Sequence, residues 1–331
     1  MGLGMFGLIA VVGYVGTLYR ETGGVPVYIP YSGNWNTSEP FKLQLYETLI
    51  YDKPCSWHSI VLENYTLWFF LYAIAHLLMY VEPQRKLFQP FKLNKAYPKF
   101  SLIGKEFLRS ARGVMIASLM ETGINYLHSK QMISDQWRWS YFELGDDGVI
   151  SFKCLLCAGI FAYLWGDAHF YWTHRWLHTK WLYKNVHKIH HESFNPDPWS
   201  GLSMHWFEST VYFSSAPLMC FFAPLWMVRF TFKGLLVFPL EGHSGHGSWA
   251  LEDTWNHYIH HSKFNWNYGS SPTWDHIMGT NYDPSKISSM LAKERYAESI
   301  QQAKLVGATI SEELDGAAEY KSVAERKKKF Q

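Results

Sequence analysis

Polar and apolar positions alternate along this chain on the scale of whole segments. Residues 2–19, GLGMFGLIAVVGYVGTLY, carry no charge and are long enough for a short transmembrane helix. The next apolar run, residues 65–81, has 17 residues and spans about 26 Å, close to a bilayer core. A strongly basic stretch follows, with Arg85, Lys86, Lys92, Lys95, Lys99, Lys105, Arg109 and Arg112 against the single acid Glu106. Short loops of that charge stay cytoplasmic. Weaker apolar spans at about 113–128 and 149–166 form a predicted hairpin that returns the chain to the cytoplasm near Asp167. A second apolar pair, about 209–225 and 227–240, is interrupted at Pro217, Pro224 and Arg229 and predicts another hairpin. The tail, 286–331, is polar and helix-prone.

This pattern predicts an all-α fold: an integral membrane helix bundle of about four transmembrane helices plus a hydrophobic hairpin, under a cytoplasmic helical cap. Three regions follow: residues 1–112 with the first spans and the basic loop, 113–285 with the remaining spans and the cap, and 286–331 as a cytoplasmic tail. Residues 20–58 fall across the membrane, which exposes the N-T-S acceptor motif at Asn36.

Composition sharpens the membrane reading. Aromatic residues make up 18% of the chain, as expected where amphipathic rings line a bilayer interface and a lipid pocket. A net charge of +2, with its basic residues clustered, gives no nucleic-acid footprint. Four cysteines, two of them within one apolar run, make no disulfide framework and read as free thiols. The G-x-G-x-x-G of Gly2, Gly4 and Gly7 has no strand before it and fails as a dinucleotide fingerprint.

The chemistry lies in the histidines. Of 16, 13 fall between His169 and His276. HKIHH at 187–191 returns as HYIHH at 257–261, where independent placement predicts about 0.04 copies of H-x-x-H-H in such a chain. His174 and His178 stand at i and i+4, neighbours on one helical face. His187, His190 and His191, and again His257, His260 and His261, stand at i, i+3 and i+4, within a sector about 100° wide on a 3.6-residue helix. GHSGH adds His243 and His246. Ten imidazoles are enough for two metal ions at about five each, and the predicted topology brings all of them to the cytoplasmic side. No catalytic residue is expected beyond the ligands. The nearby acids Asp167, Glu192, Glu208, Glu241 and Asp275 are candidates to accept hydrogen bonds from ligand N–H groups.

HRWLH, HKIHH and HYIHH resemble the three histidine boxes of the fatty acid hydroxylase and sterol desaturase superfamily of membrane enzymes. DAHFYWTHRWLH, LYKNVHKIHH, PWSGLSMH, GHSGH, NYG and WDHIMGT follow the family order over about 167–280. The resemblance implies two iron ions held by the ten histidines, with zinc able to substitute in a purified sample, and dioxygen as co-substrate attacking an unactivated C–H bond of a lipid. It places His205 and Asn267 at family positions near the site. His169 departs from the pattern, as do His276 and Trp206. The first box, PWSGLSMH and the lack of an H-P-G-G haem segment lie closer to the sterol desaturase-like side, which implies a sterol substrate; a fatty acyl or sphingoid hydroxylase is the alternative. Electrons must then come from a separate membrane donor such as cytochrome b5 and its reductase. A metal-containing lipid-binding membrane protein without turnover is the reading from another class, and a structural metal would use closed four-ligand sites. The terminal KKFQ, with Lys328 and Lys329, resembles the dilysine signal that retrieves membrane proteins to the endoplasmic reticulum.

Overall fold

The computed structural model describes residues 56–94, 96–130, 132–133, 152–221, 223, 225–247, 252–283 and 289–307. The segment 2–19, Asn36 and Lys328 and Lys329 lie outside the described residues. Among those described there is no strand, only an isolated antiparallel bridge between Lys92 and His246. The helices are α1 Trp57–Tyr80, α2 Arg85–Phe88, α3 Phe100–Ser129, α4 Phe152–Leu177, α5 Lys180–Asn185, α6 Trp206–Phe213, α7 Ser215–Leu218, α8 Leu225–Gly242, α9 Glu252–Lys263, α10 Pro272–Met278 and α11 Met290–Val306. Three-ten turns cover His187–Glu192, Pro198–Leu202 and Met219–Phe221, besides Gln89–Phe91.

The basic stretch is less of a loop than its charge suggests. Past Pro98 nothing breaks a helix, so α3 begins at Phe100 and carries Lys105, Arg109 and Arg112 on its first turns. The first arm of the second predicted hairpin is broken into α6, α7 and a three-ten turn. HKIHH is a three-ten turn, not the α-helix expected from its spacing, whereas HYIHH lies within α9.

Among the described residues α1 is the one helix long and apolar enough to cross a membrane, and only 22% of its most apolar window is buried. Its large side chains Leu62, Phe69, Phe70, Ile74 and Leu77 face outward. α4 likewise turns out Leu156, Ile160 and Leu164, a stripe at four-residue spacing.

The described residues fall into two compact units, and both cut across helices. The first takes Met1–Asn64, Ala117–Gly166 and Phe213–Leu235. It encloses an ionic cluster: Glu121 meets Arg229 Nε at 3.0 Å and Lys233 Nζ at 3.0 Å, and Arg229 also reaches Glu63 at 3.0 Å. Asn64 donates to Glu121 and Ser118. Glu121 and Arg229 are each 1% exposed, so two acids and two bases neutralise one another inside the unit.

The second unit takes Tyr65–Ile116, Asp167–Tyr212 and Leu236–Gln331. Trp199, in the Pro198–Leu202 turn, is its aromatic hub, with the rings of Trp68 and Phe107 at 5.5 and 5.0 Å. α11, in the stretch read as a polar tail, packs on α9 and on the His187–Glu192 turn, with Ala303 and Val306 against Tyr183 and Phe264.

Candidate metal centre

Nine of the ten predicted ligands converge within the second unit, in two groups. His174, His178, His187, His191 and His260 make the first; His190, His243, His257 and His261 make the second. In each group the ligand nitrogens lie within 4.8 Å of one another. The groups abut, with the His191 and His261 rings 4.8 Å apart. Each triplet divides between them: His187 and His191 join the first group and His190 the second, while His257 and His261 join the second and His260 the first.

The contacts within a group run between Nε2 atoms. His174 to His187 is 3.2 Å, His191 to His187 3.1 Å and His178 to His260 3.2 Å; in the second group His243 to His257 is 3.0 Å and His243 to His190 3.3 Å. In three of the nine rings the proton is committed elsewhere. The Nδ1–H of His174 donates to the Tyr268 carbonyl at 2.7 Å, that of His260 to Trp266 at 2.7 Å and that of His243 to Pro239 at 2.8 Å. A carbonyl oxygen can only accept, so the Nε2 atoms of His174, His260 and His243 bear lone pairs, each directed at a neighbouring imidazole nitrogen. A cation among the nitrogens would be held by such lone pairs. Metal–imidazole bonds of about 2.0–2.1 Å give neighbouring nitrogens about 2.9–3.4 Å apart in octahedral to tetrahedral geometry, the range seen here. The donor set therefore fits two metal ions.

Electrostatics favour the neutral rings that bind metal. All of these histidines except His257 have less than a tenth of their surface exposed. Burial first, then mutual repulsion among the rings, hold His187, His190, His191 and His261 well below the ordinary imidazole range. Glu208, at the start of α6, places Oε1 2.7 Å from His187 Nδ1, and its own carboxyl is pushed well up by burial.

One short loop orients much of the first group. Lys263 ends α9, and Phe264 and Asn267 take left-handed backbone angles, φ 63° and 53°, which turn the Trp266 and Tyr268 carbonyls toward His260 and His174. The loop is pinned from behind. Asp275 accepts from the Tyr268 and Gly269 N–H groups at 2.9 and 2.7 Å, and the Asn267 side chain accepts from Tyr282 N–H at 2.8 Å and donates to the Asn256 carbonyl at 3.2 Å. A Cβ on Gly269 would stand against the Ser271 carbonyl and 2.9 Å from Asp275 Oδ2, so the close approach requires glycine.

The other predicted residues fall at varying distances from the chemistry. Asp167 touches no ligand; its carboxylate accepts from Ser270 Oγ, Ser271 N–H and Ser271 Oγ at 2.7–3.1 Å, tying α4 to the start of α10. Glu241 contributes its backbone carbonyl to Thr254 Oγ1 at 3.0 Å. Glu192 pairs with Arg109 at 2.8 Å. His205 Nδ1 accepts from Phe207 N–H at 3.2 Å on the first turn of α6. His169 lies in α4 outside both groups, and burial lowers its ring to about 4. His246 also stands apart: its Nδ1 donates to the Ser244 carbonyl at 2.8 Å, and its ring meets that of Tyr80 edge-on at 5.3 Å. Sequence reasoning missed the carbonyls of Pro239, Trp266 and Tyr268. Only the NYG segment hinted at them.

Residues 159–280 match the sequence model of the fatty acid hydroxylase family. The Delta(7)-sterol 5(6)-desaturase of Leptosphaeria maculans is 30% identical over 125 residues, 36% of this chain and 35% of its own. That of Candida albicans is 29% identical over 167 residues, 48% of this chain and 42% of its own. Methylsterol monooxygenase 2-1 of Arabidopsis thaliana is 52% identical over 46 residues, 14% of this chain and 17% of its own. The chain thus spans less than half the length of these curated relatives. No solved structure matches it. Motif order, nine converging histidines and these relatives agree in relating residues 159–280 to the fatty acid hydroxylase and sterol desaturase superfamily, nearest its sterol desaturase-like side.

Proposed function

We propose that this protein is a membrane oxidoreductase that holds two iron ions on His174, His178, His187, His191 and His260 and on His190, His243, His257 and His261, and uses dioxygen to hydroxylate or desaturate a C–H bond of a sterol or related lipid. The observation that carries this reading is the convergence of nine histidine ring nitrogens into two abutting groups. Iron, when bound, supplies the redox chemistry with dioxygen that an unactivated C–H bond requires and that zinc lacks.

The chain's own residues do the rest. Carbonyls at Pro239, Trp266 and Tyr268 hold the Nδ1 protons, so each Nε2 is presented for binding in one tautomer. Glu208 puts an acidic partner behind His187, beside an otherwise neutral ligand set. Burial keeps bulk water from the rings. The outward apolar stripes of α1 and α4 suit contact with lipid, and the substrate reaches the site from the bilayer. Two electrons per turnover come from a membrane donor such as cytochrome b5 and its reductase. The enzyme works in the endoplasmic reticulum membrane with its site facing the cytoplasm. The sterol desaturase and methylsterol monooxygenase names of the relatives favour a sterol over a fatty acyl or sphingoid substrate.

The deciding experiment is untargeted lipid analysis of cells with and without the protein, given a source of reductase. A sterol gaining one oxygen or losing two hydrogens is expected. An unchanged lipid profile, with metal bound and lipid still captured by the purified protein, replaces the oxidase with a binding protein.

A further inference from the structure

A series of aromatic rings leads away from the first histidine group, all of it within the second unit. Tyr268 begins it, with its ring 5.0 Å from that of His178, 5.7 Å from His260 and 6.0 Å from His174. Tyr171 of α4 follows at 6.3 Å. From Tyr171 the contacts divide: Trp172 lies edge-on at 5.3 Å, while Trp274 of α10 is stacked at 6.0 Å and meets Trp172 at 5.9 Å. Tyr268 and Tyr171 are buried, Trp274 is half-buried, and Trp172 is 47% exposed. The series therefore runs from buried candidate ligands to the protein surface.

Hydrogen bonds along it give one ring a place to put a proton. The Tyr171 hydroxyl stands 3.1 Å from Thr280 Oγ1, and Thr280 Oγ1 donates to Asp275 Oδ1 at 2.6 Å. The Thr280 proton is committed to the carboxylate, so its oxygen accepts from Tyr171. Arg175 donates to the same phenol oxygen at 3.0 Å, which agrees with Tyr171 being the donor toward Thr280. Asp275 can thus take up the Tyr171 proton through the Thr280 hydroxyl. Tyr268 has no such outlet, because its hydroxyl reaches Asn265 Oδ1 at 3.4 Å and an amide oxygen does not take up the proton. Tyr183 provides the contrast. Its ring lies 5.4 Å from His178 and 5.5 Å from His191, close to the same group, but its buried hydroxyl has no hydrogen-bond partner.

We propose that Tyr268, Tyr171, Trp172 and Trp274 form an electron relay that discharges an oxidised metal centre when no lipid is in place. The inference rests on the two-iron reading. An aromatic side chain yields an electron only to a strong oxidant, so the relay is idle toward a resting centre. It conducts when dioxygen has oxidised the centre and no C–H bond is there to be attacked.

Each pass moves one electron. Tyr171 gives an electron to the centre across the Tyr268 ring and its phenol proton to Asp275 through Thr280. Trp172 then gives an electron to Tyr171, directly or by way of Trp274, and Tyr171 recovers its proton. A small thiol in solution refills the Trp172 indole with one electron and releases its own proton to water. Without thiol, the oxidised indole reacts with dioxygen or water and keeps an added oxygen. The relay diverts oxidising equivalents from the histidines themselves, a side reaction that a closed site has to suppress.

Trp176 supplies an internal standard. It stands one turn beyond Trp172 on α4 and is equally exposed, at 47%, but its ring meets Phe207 at 6.2 Å, off the series. An oxidant diffusing through solution attacks both indoles alike, whereas one conducted from the centre marks Trp172.

The test loads the full-length protein in detergent with iron(II), measures bound iron, and adds dioxygen without lipid or thiol. Peptide mass spectrometry reads the oxygen added to each tryptophan, and freeze-quenched samples are read by electron paramagnetic resonance. In the parent, Trp172 should gain several-fold more oxygen than Trp176, and an organic radical signal should appear. Tyr171→Phe should bring the two tryptophans level and weaken that signal, whereas Tyr183→Phe should match the parent. Iron-loaded parent protein whose Trp172 is no more oxidised than Trp176 overturns the relay, and that outcome needs no variant. So does a Tyr171→Phe protein that keeps the parent's ratio at the parent's iron content. A parent that binds no iron overturns instead the two-iron reading on which the relay stands.

Discussion

His190 and His260 hold the same place in two copies of H-x-x-H-H, and each joins the metal group to which the outer histidines of its own copy do not belong. Neither copy can complete a site alone, so each site draws on both copies. The groups differ in reserve: losing His260 leaves four imidazoles in the first, whereas losing His190 leaves three in the second. His190→Ala should therefore cut bound iron from about two toward about one per chain, with a smaller loss for His260→Ala and none for the exposed His58→Ala. Both ligand variants should lose turnover. Elemental analysis of the purified proteins checks the order, and a His190→Ala protein still holding two irons removes that residue from the ligand set.

Glu208 is the buried acid that reaches a ligand ring, at 2.7 Å from His187 Nδ1. Removing a carboxylate behind a metal-bound histidine commonly lowers affinity 10–100-fold. Glu208→Ala should fall in that range by chelator competition, and Glu208→Gln, which keeps an acceptor oxygen, should fall less. Equal affinities for both variants and the parent would show that the Glu208 contact is incidental.

The left-handed angle of Asn267 separates backbone from side-chain effects. Asn267→Gly keeps the angle and loses the bonds to Tyr282 and Asn256. Asn267→Val loses both and adds about 1–3 kcal/mol of strain. The valine protein should melt at lower temperature than the glycine protein and release metal faster, because the Trp266 and Tyr268 carbonyls move with the loop. The reverse order in a melting series contradicts the assignment.

In the first unit, Glu121→Ala would leave Arg229 and Lys233 without their buried partner. Breaking such a pair costs about 3–5 kcal/mol. A fall in melting temperature well beyond that of Glu121→Gln is expected in the detergent-solubilised protein, and an alanine variant as stable as the parent contradicts a structural role for the cluster.

The sequence made the histidine clustering legible where spacing alone decides geometry. His257, His260 and His261 lie in a true α-helix, so i, i+3, i+4 counting placed them on one face. It misjudged HKIHH, because a three-ten turn held by contacts from outside is not written in the turn itself. His243 and His246 could not be told apart: His243 directly follows α8 with its carbonyl acceptor four residues back at Pro239, while His246, three residues on, faces Tyr80. Arg229 was legible as an interruption of an apolar run, but not its partners Glu63 and Glu121, more than 100 residues away. Glu106 looked like the odd acid in a basic stretch, and nothing in its neighbourhood pointed to Ser193.

The acceptors at Pro239, Trp266 and Tyr268 are main-chain oxygens, and every amino acid supplies one. Truncating those side chains would leave the acceptors in place, so an alanine scan would pass over part of the scaffold that orients the rings. These oxygens also do not titrate, so three ring tautomers stay fixed while acidity changes around them. Exchanging the Trp266–Asn267 or Tyr268–Gly269 amide for an ester, which weakens the carbonyl as an acceptor without altering any side chain, is the substitution to which this part of the molecule would respond.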